Sequence, residues 1–339
     1  MLFNKDNTGA VELRERTGSY YANNKFERVA TDVLLAESEL TKLVGQAVYD
    51  RAHAHYQSQD YQAANPDETQ ALNDQLVLLL QLPIAYRATF NYYQSNLVSH
   101  EDAGRKVKLD PENEKMPWEW MLDRDDEAQL RKAHQTTDLL LAWLEEKQLP
   151  EWMDSRNRKT ARRLFVHNEA IFQDAYPIDA SPRFYYTVLP WIREVQERAI
   201  KKALGAKYAD LLAYHLEGTV GSGSGSAGIP SADGDPELSE LLDLVQKAIP
   251  LLVMVMAVKR LSLQVLPEGV VQQFKSNMQS RAASAAALPE VISWHAKRLQ
   301  EDAGEVLDDV RSWLQRADPE SGTYPLLPEN DESNKFFRT

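Results

Sequence analysis

Seven histidines and no cysteine bound the chemistry open to these 339 residues. Without cysteine there are no disulfides, thiolate metal sites or thiol nucleophiles, which leaves imidazole, carboxylate and hydroxyl groups. A di-iron bundle needs Glu-x-x-His motifs, so that carboxylate and imidazole project from one helix face. The chain has none. The nearest spacing is Asp50-x-x-His53, and 160 positions further on Asp210 is followed by Ala213, so the pair does not recur as a symmetric site would. His55 and His215 do recur, near expected helix C-termini, where a partly charged imidazole suits the negative end of the helix dipole; surface or helix-end histidine is the reading. No Gly-x-Ser-x-Gly elbow is present. The acidic run Asp123-Arg124-Asp125-Asp126-Glu127 lacks the glycine and terminal glutamate of an EF-hand loop and reads as a solvated helix start. No enzyme activity, metal or cofactor is expected.

The segment GTVGSGSGSAGIPSADGDPE, residues 218–237, holds a Gly-x-Gly-x-x-Gly at Gly223, Gly225 and Gly228. A dinucleotide fingerprint follows a strand and opens a helix whose N-terminus receives the pyrophosphate. Here a helical pattern precedes it and Ile229-Pro230 follows. Flexible-linker composition explains it as a connector.

Basic residues gather once against the overall charge. Arg156, Arg158, Lys159, Arg162 and Arg163 fall on two adjoining stripes of an expected helix, 155–175. A solvated face is the plain reading; contact with an acidic patch on a neighbouring subunit comes second and phosphate third. The 51 acidic and 38 basic side chains give a net charge of −13, which disfavours general nucleic-acid binding. The opening residues lack the unbroken apolar region of a signal peptide. The longest apolar run, Ala248–Val258, is too short for a bilayer, so a cytoplasmic product without membrane contact is expected.

Apolar residues recur at three- and four-residue steps through most of the chain, which predicts an all-α fold of roughly eight helices. A shift of 160 positions lays Glu37, Lys42, Gly45, Asp50 and His55 on Glu197, Lys202, Gly205, Asp210 and His215. The next helix is capped by NPDE at 65–68 in one half and DPE at 235–237 in the other. Each then carries an internal proline, Pro83 or Pro250, and each half ends near a Trp-Leu pair, at Trp143 and Trp313. Ordered landmarks of this kind predict an internal duplication: an N-terminal arm 1–25, repeat 1 over 26–146, a helical connector 147–183, repeat 2 over 184–316 with the Gly/Ser loop 218–235, and a C-terminal arm 317–339. The ends carry isolated apolar anchors: Leu2, Phe3, Tyr20 and Tyr21 at one, and Tyr324, Leu326, Leu327, Phe336 and Phe337 at the other. They read either as loose tails or as arms that wrap a neighbour.

The stretch Lys25–Tyr56, with Ala36-Glu37, Val44-Gly45 and Tyr49 following a Met-Leu-Phe start, resembles the opening of a protein family encoded in phages and prophages, in which no enzymatic residues are assigned. The resemblance implies a gene of the virion-structure set: a head–tail connector, adaptor or completion subunit, homo-oligomeric and in contact with neighbouring virion proteins. On that footing the expected function is a ring-forming structural protein. The alternatives are a helical adaptor that binds another protein through the basic helix and, third, a helical enzyme with an unrecognised site.

Overall fold

The protein is described by a computed structural model over residues 1–18, 25–96, 99–101, 104–106, 118–221, 235–261, 263–266, 269–272 and 289–317. The fold is all-α, and among the described residues the strands are two short antiparallel hairpins. In the first half, α2 (Ala30–Val44) and α3 (Gln46–Gln57) meet at Gly45, whose φ of 96° no L side chain adopts easily. Then α4 (Glu68–Ser95) leads through the hairpin of β1 (Ser99–Glu101) and β2 (Gly104–Lys106) to α5 (Glu119–Lys147). A capping box starts α4: Asp67 accepts from the Gln70 amide and Gln70 reciprocates. The cap is therefore Asp67 rather than Asn65, and Pro66 lies outside the helix.

Between the halves lie α6 (Pro150–Met153), α7 (Arg156–Ala161) and α8 (Glu169–Ala175). Repeat 2 then opens with α9 (Pro182–Val195), which passes through a π-turn at Gln196–Ile200 into α10 (Lys201–Leu204). Gly205, φ 54°, separates α10 from α11 (Lys207–Gly221). Next come α12 (Pro236–Arg260), the hairpin of β3 (Leu263–Leu266) and β4 (Gly269–Gln272), and α13 (Pro289–Ala317). The order is that of the first half: helix, glycine, helix, long proline-bearing helix, hairpin, long helix. Both last helices have 29 residues. The paired landmarks also share their environment: Pro83 and Pro250 are buried inside α4 and α12, and Trp143 and Trp313 are buried in the core. In each half the last two long helices pack on one another, α4 with α5 and α12 with α13. The halves join where α5 of the first meets α9 of the second, while α8 of the connector packs on α12, so one continuous core runs through both.

Two expectations are corrected here. The helix expected over 155–175 is two short ones, because Leu164, Phe165 and Val166 turn inward between them and Asn168 caps a new start by accepting from the Ile171 amide. The first eighteen residues are not an arm laid on a neighbour. Leu2 and Phe3 are buried in the chain's own core; the Leu2 amide donates to the buried Glu37 carboxylate at 2.5 Å, and Gln81 Nε2 donates to the Leu2 carbonyl. By length and composition alone α12 could cross a membrane, and half of its most apolar window is buried inside the fold. Residues 318–339, with Tyr324, Leu326, Leu327, Phe336 and Phe337, lie outside the described residues, as do Tyr20, Tyr21 and the glycines at 223, 225 and 228.

Candidate interaction surfaces and the polar core between the halves

The five cations at 156–163 do not form one face. Arg158 turns inward, with Nε 3.0 Å from Oε1 of Glu145, an ion contact rather than an aligned hydrogen bond. The same oxygen accepts from the Tyr186 hydroxyl at 2.9 Å and Trp152 Nε1 at 3.1 Å, so one carboxylate of α5 ties α6, α7 and α9 together. Lys159 pairs with Asp154 on the surface. Arg156 and Arg163 are exposed and Arg162 is half-buried. The basic segment therefore splits into a structural arginine, a surface pair and three guanidiniums on the outer side. Burial pushes the nearby Glu169 carboxyl up, reinforced by the charge of Glu145 and eased by Arg158.

Both recurrent histidines are buried: His55 does stand in the last turn of α3, as expected, whereas His215 lies inside α11. His55 is buried and shares a 2.8 Å contact with Asp74. His215, 3% exposed, lies with its ring centroid 5.1 Å from that of His167 and edge-on to Phe165. Burial holds His167 down to about 3, helped by His215, Arg158 and Arg162, and holds His215 down to about 4. Both imidazoles are neutral in the folded chain. Asp50 accepts from Gln46 and His53 stacks on Tyr49, with Asp50 acting on His53 through its charge. Among the described residues no group of three or more histidine, aspartate or glutamate side chains could hold a metal ion.

A cleft of about 730 Å³ opens between α5, the turn before α9 and Met254 of α12. Arg131, His134, Asp138 and Arg183 line it. Asp138 is engaged structurally: it accepts from the Ser181 hydroxyl at 2.9 Å and the Arg183 amide at 2.8 Å, fixing the start of α9. His134 is pushed towards its neutral form by burial, Arg183 and Arg87. The charge of Asp138, one turn further along α5, acts on His134 in the opposite sense.

The comparisons with known proteins bear on the repeat. A single family model, described as a family of unknown function, matches the chain twice, over residues 40–162 and 200–336. The chain belongs to this family, DUF6712. The two matches start 160 positions apart, at 40 and 200, the same shift that superposes Gly45 and Gly205. The first match also takes in α6 and α7, so the DUF6712 unit extends past the boundary at 146 read from the landmarks. No curated protein and no solved structure matches the chain.

In this DUF6712 chain the large exposed apolar side chains include a set at corresponding ends of the two halves. Trp118, Trp120 and Met121 stand at the start of α5, at 70%, 45% and 43% exposure; Val291 and Trp294 stand at the start of α13, at 52% and 68%. Helical spacing alone does not tell a buried aromatic stripe from an exposed one. The signal available was local: Trp118 and Trp120 run straight into the Asp123–Glu127 acids, which cannot be buried beside them.

Proposed function

We propose that this protein is a virion structural subunit of the phage type, a head–tail connector, adaptor or completion protein that assembles into a ring. The observation that carries the reading is the pair of exposed tryptophan-bearing surfaces at matching ends of two tandem helical units. Soluble chains seldom leave several large apolar groups together in water unless a partner covers them, and a tandem repeat offers a neighbour two similar docking ends. The resemblance of residues 25–56 to a phage-encoded family supports it, and so does the net charge of −13, since a channel for DNA must not grip phosphate. The protein would be made in the cytoplasm and retained in the particle beside other virion proteins. The adaptor reading loses its main support, because the continuous basic helix on which it rested is broken after Ala161 and Arg158 is drawn into the core.

Native mass spectrometry and negative-stain imaging of the full chain test this. The expected outcome is a closed oligomer of defined stoichiometry. Deleting 318–339, with its anchors Tyr324, Leu326, Leu327, Phe336 and Phe337, should leave the melting of the chain nearly unchanged and abolish the oligomer. A chain that stays monomeric at every concentration sinks the ring reading. A deletion that destabilises the monomer while assembly proceeds sinks the arm.

A further inference from the structure

The polypeptide carries one acidic, tryptophan-bearing surface and one arginine-bearing surface that cannot reach each other within a chain. The first is the start of α5, where Trp118, Trp120 and Met121 are exposed beside Asp123 and Asp125. Like charges crowd there: the Asp126 carboxyl is pushed up by burial and by Asp125 and Asp123, in spite of a hydrogen bond from Gln94. The second is the turn around α7, where Arg156 and Arg163 are exposed and Arg162 is half-buried. Its positive field reaches inward, since Arg162 helps to depress the His167 imidazole.

Their separation follows from α5 itself. Glu145, near the C-terminal end of α5, contacts Arg158, whereas Asp125 lies twenty residues earlier on the same helix. At 1.5 Å per residue that is about 30 Å of rigid helix. The surfaces complement one another in charge and can meet only between molecules. The start of α13 does not repeat the acidic run. It exposes Val291 and Trp294, but its next turns pair Lys297 and Arg298 with Glu301 and Asp302. Of the two tryptophan-bearing ends only the first is acidic, so its pairing with the basic turn makes a head-to-tail contact rather than a two-fold one, and head-to-tail contacts build rings or filaments.

We propose that the start of α5 in one copy docks on the Arg156–Arg163 turn of a second copy, with Trp118 and Trp120 as apolar anchors and Asp123 and Asp125 facing Arg156, Arg162 and Arg163. The inference rests on the ring reading above and names its interface. A nucleic acid could use the arginines but would be repelled by the acidic end, whereas a second copy uses both.

The test is sedimentation of the full-length chain across concentration and salt. The acidic-end variant is Asp123→Lys with Asp125→Lys, and the basic-end variant is Arg156→Glu with Arg163→Glu. Each alone should weaken self-association on the order of 100-fold while helical content and melting stay unchanged, and the chain carrying all four substitutions should recover it. Trp120→Ala should weaken association without restoring salt sensitivity to a charge-reversed chain. If the wild type assembles and both charge reversals leave it intact, the interface is elsewhere and this inference falls while the ring stands. If the wild type never assembles, both fall. Failure of the fourfold variant to recover, with its fold intact, also overturns the pairing.

Discussion

Acid sensitivity centred on His167 and His215 is the sharpest prediction about the isolated chain. Both rings are neutral when folded, held at about 3 and about 4 mainly by burial, whereas an unfolded histidine takes up a proton near 6.5. Their folded values are depressed and the neutral form is the one the fold accepts. The contribution to stability is therefore fully present above pH 6.5 and lost as pH falls from there towards the folded values. At pH 5 the unfolded state gains about 2 kcal/mol per histidine from protonation, so the pair withdraws about 4 kcal/mol, a large part of a typical folding free energy. The raised Glu169 carboxyl works in the opposite direction over part of this range, so the slope must be compared between variants rather than read from the wild type. The perturbation is His167→Gln or His215→Gln, which cannot titrate. Urea midpoints at pH 7.5, 6 and 5 should show each variant less stable at pH 7.5 through lost packing, with a fall towards pH 5 that is about 2 kcal/mol shallower. Equal slopes in wild type and both variants would refute the reasoning, as would an NMR titration of either folded ring near pH 6.5.

Two further outcomes follow from local geometry. Gly45→Ala should cost more than Gly205→Ala: both positions have positive φ with ψ outside the left-handed helical well, a strain of about 1–3 kcal/mol for a side chain, but the new methyl at 45 would stand 3.2 Å from Ser155 Cβ, while the one at 205 meets open space; thermal melts of both variants check the order. Glu145→Ala should destabilise by about 3 kcal/mol, because it leaves Tyr186 and Trp152 without their shared acceptor and Arg158 without its counter-charge, whereas Arg163→Ala should stay within about 0.5 kcal/mol; equal losses in chemical denaturation would mean that the polar cluster between the halves is not structural.

Much of the architecture was written in local chemistry. Helical spacing marks the long helices, and the landmarks from Gly45 and Gly205 to Trp143 and Trp313 reveal the duplication, because a glycine with positive φ and a proline inside an apolar helix leave marks in the sequence itself. The hairpin of Leu263–Gln272 departs from the helical spacing expected there, because four-residue strands are too short for alternation to stand out between helices. What the chain could not disclose by spacing is which neighbours each side chain meets. Arg158 and Arg156 are two residues apart and of one type, yet one faces Glu145 in the interior and the other faces solvent. Glu37 and Glu197 occupy equivalent places, but Glu37 is buried under the Leu2 amide and Glu197 pairs with Arg193 at the surface. His55 and His215 keep their position in both halves and have different partners, Asp74 for one and His167 for the other. Periodicity records the angle of a side chain around its own helix; whether that angle points at solvent, a carboxylate or a second ring depends on where distant segments pack, and only the tertiary structure decides that.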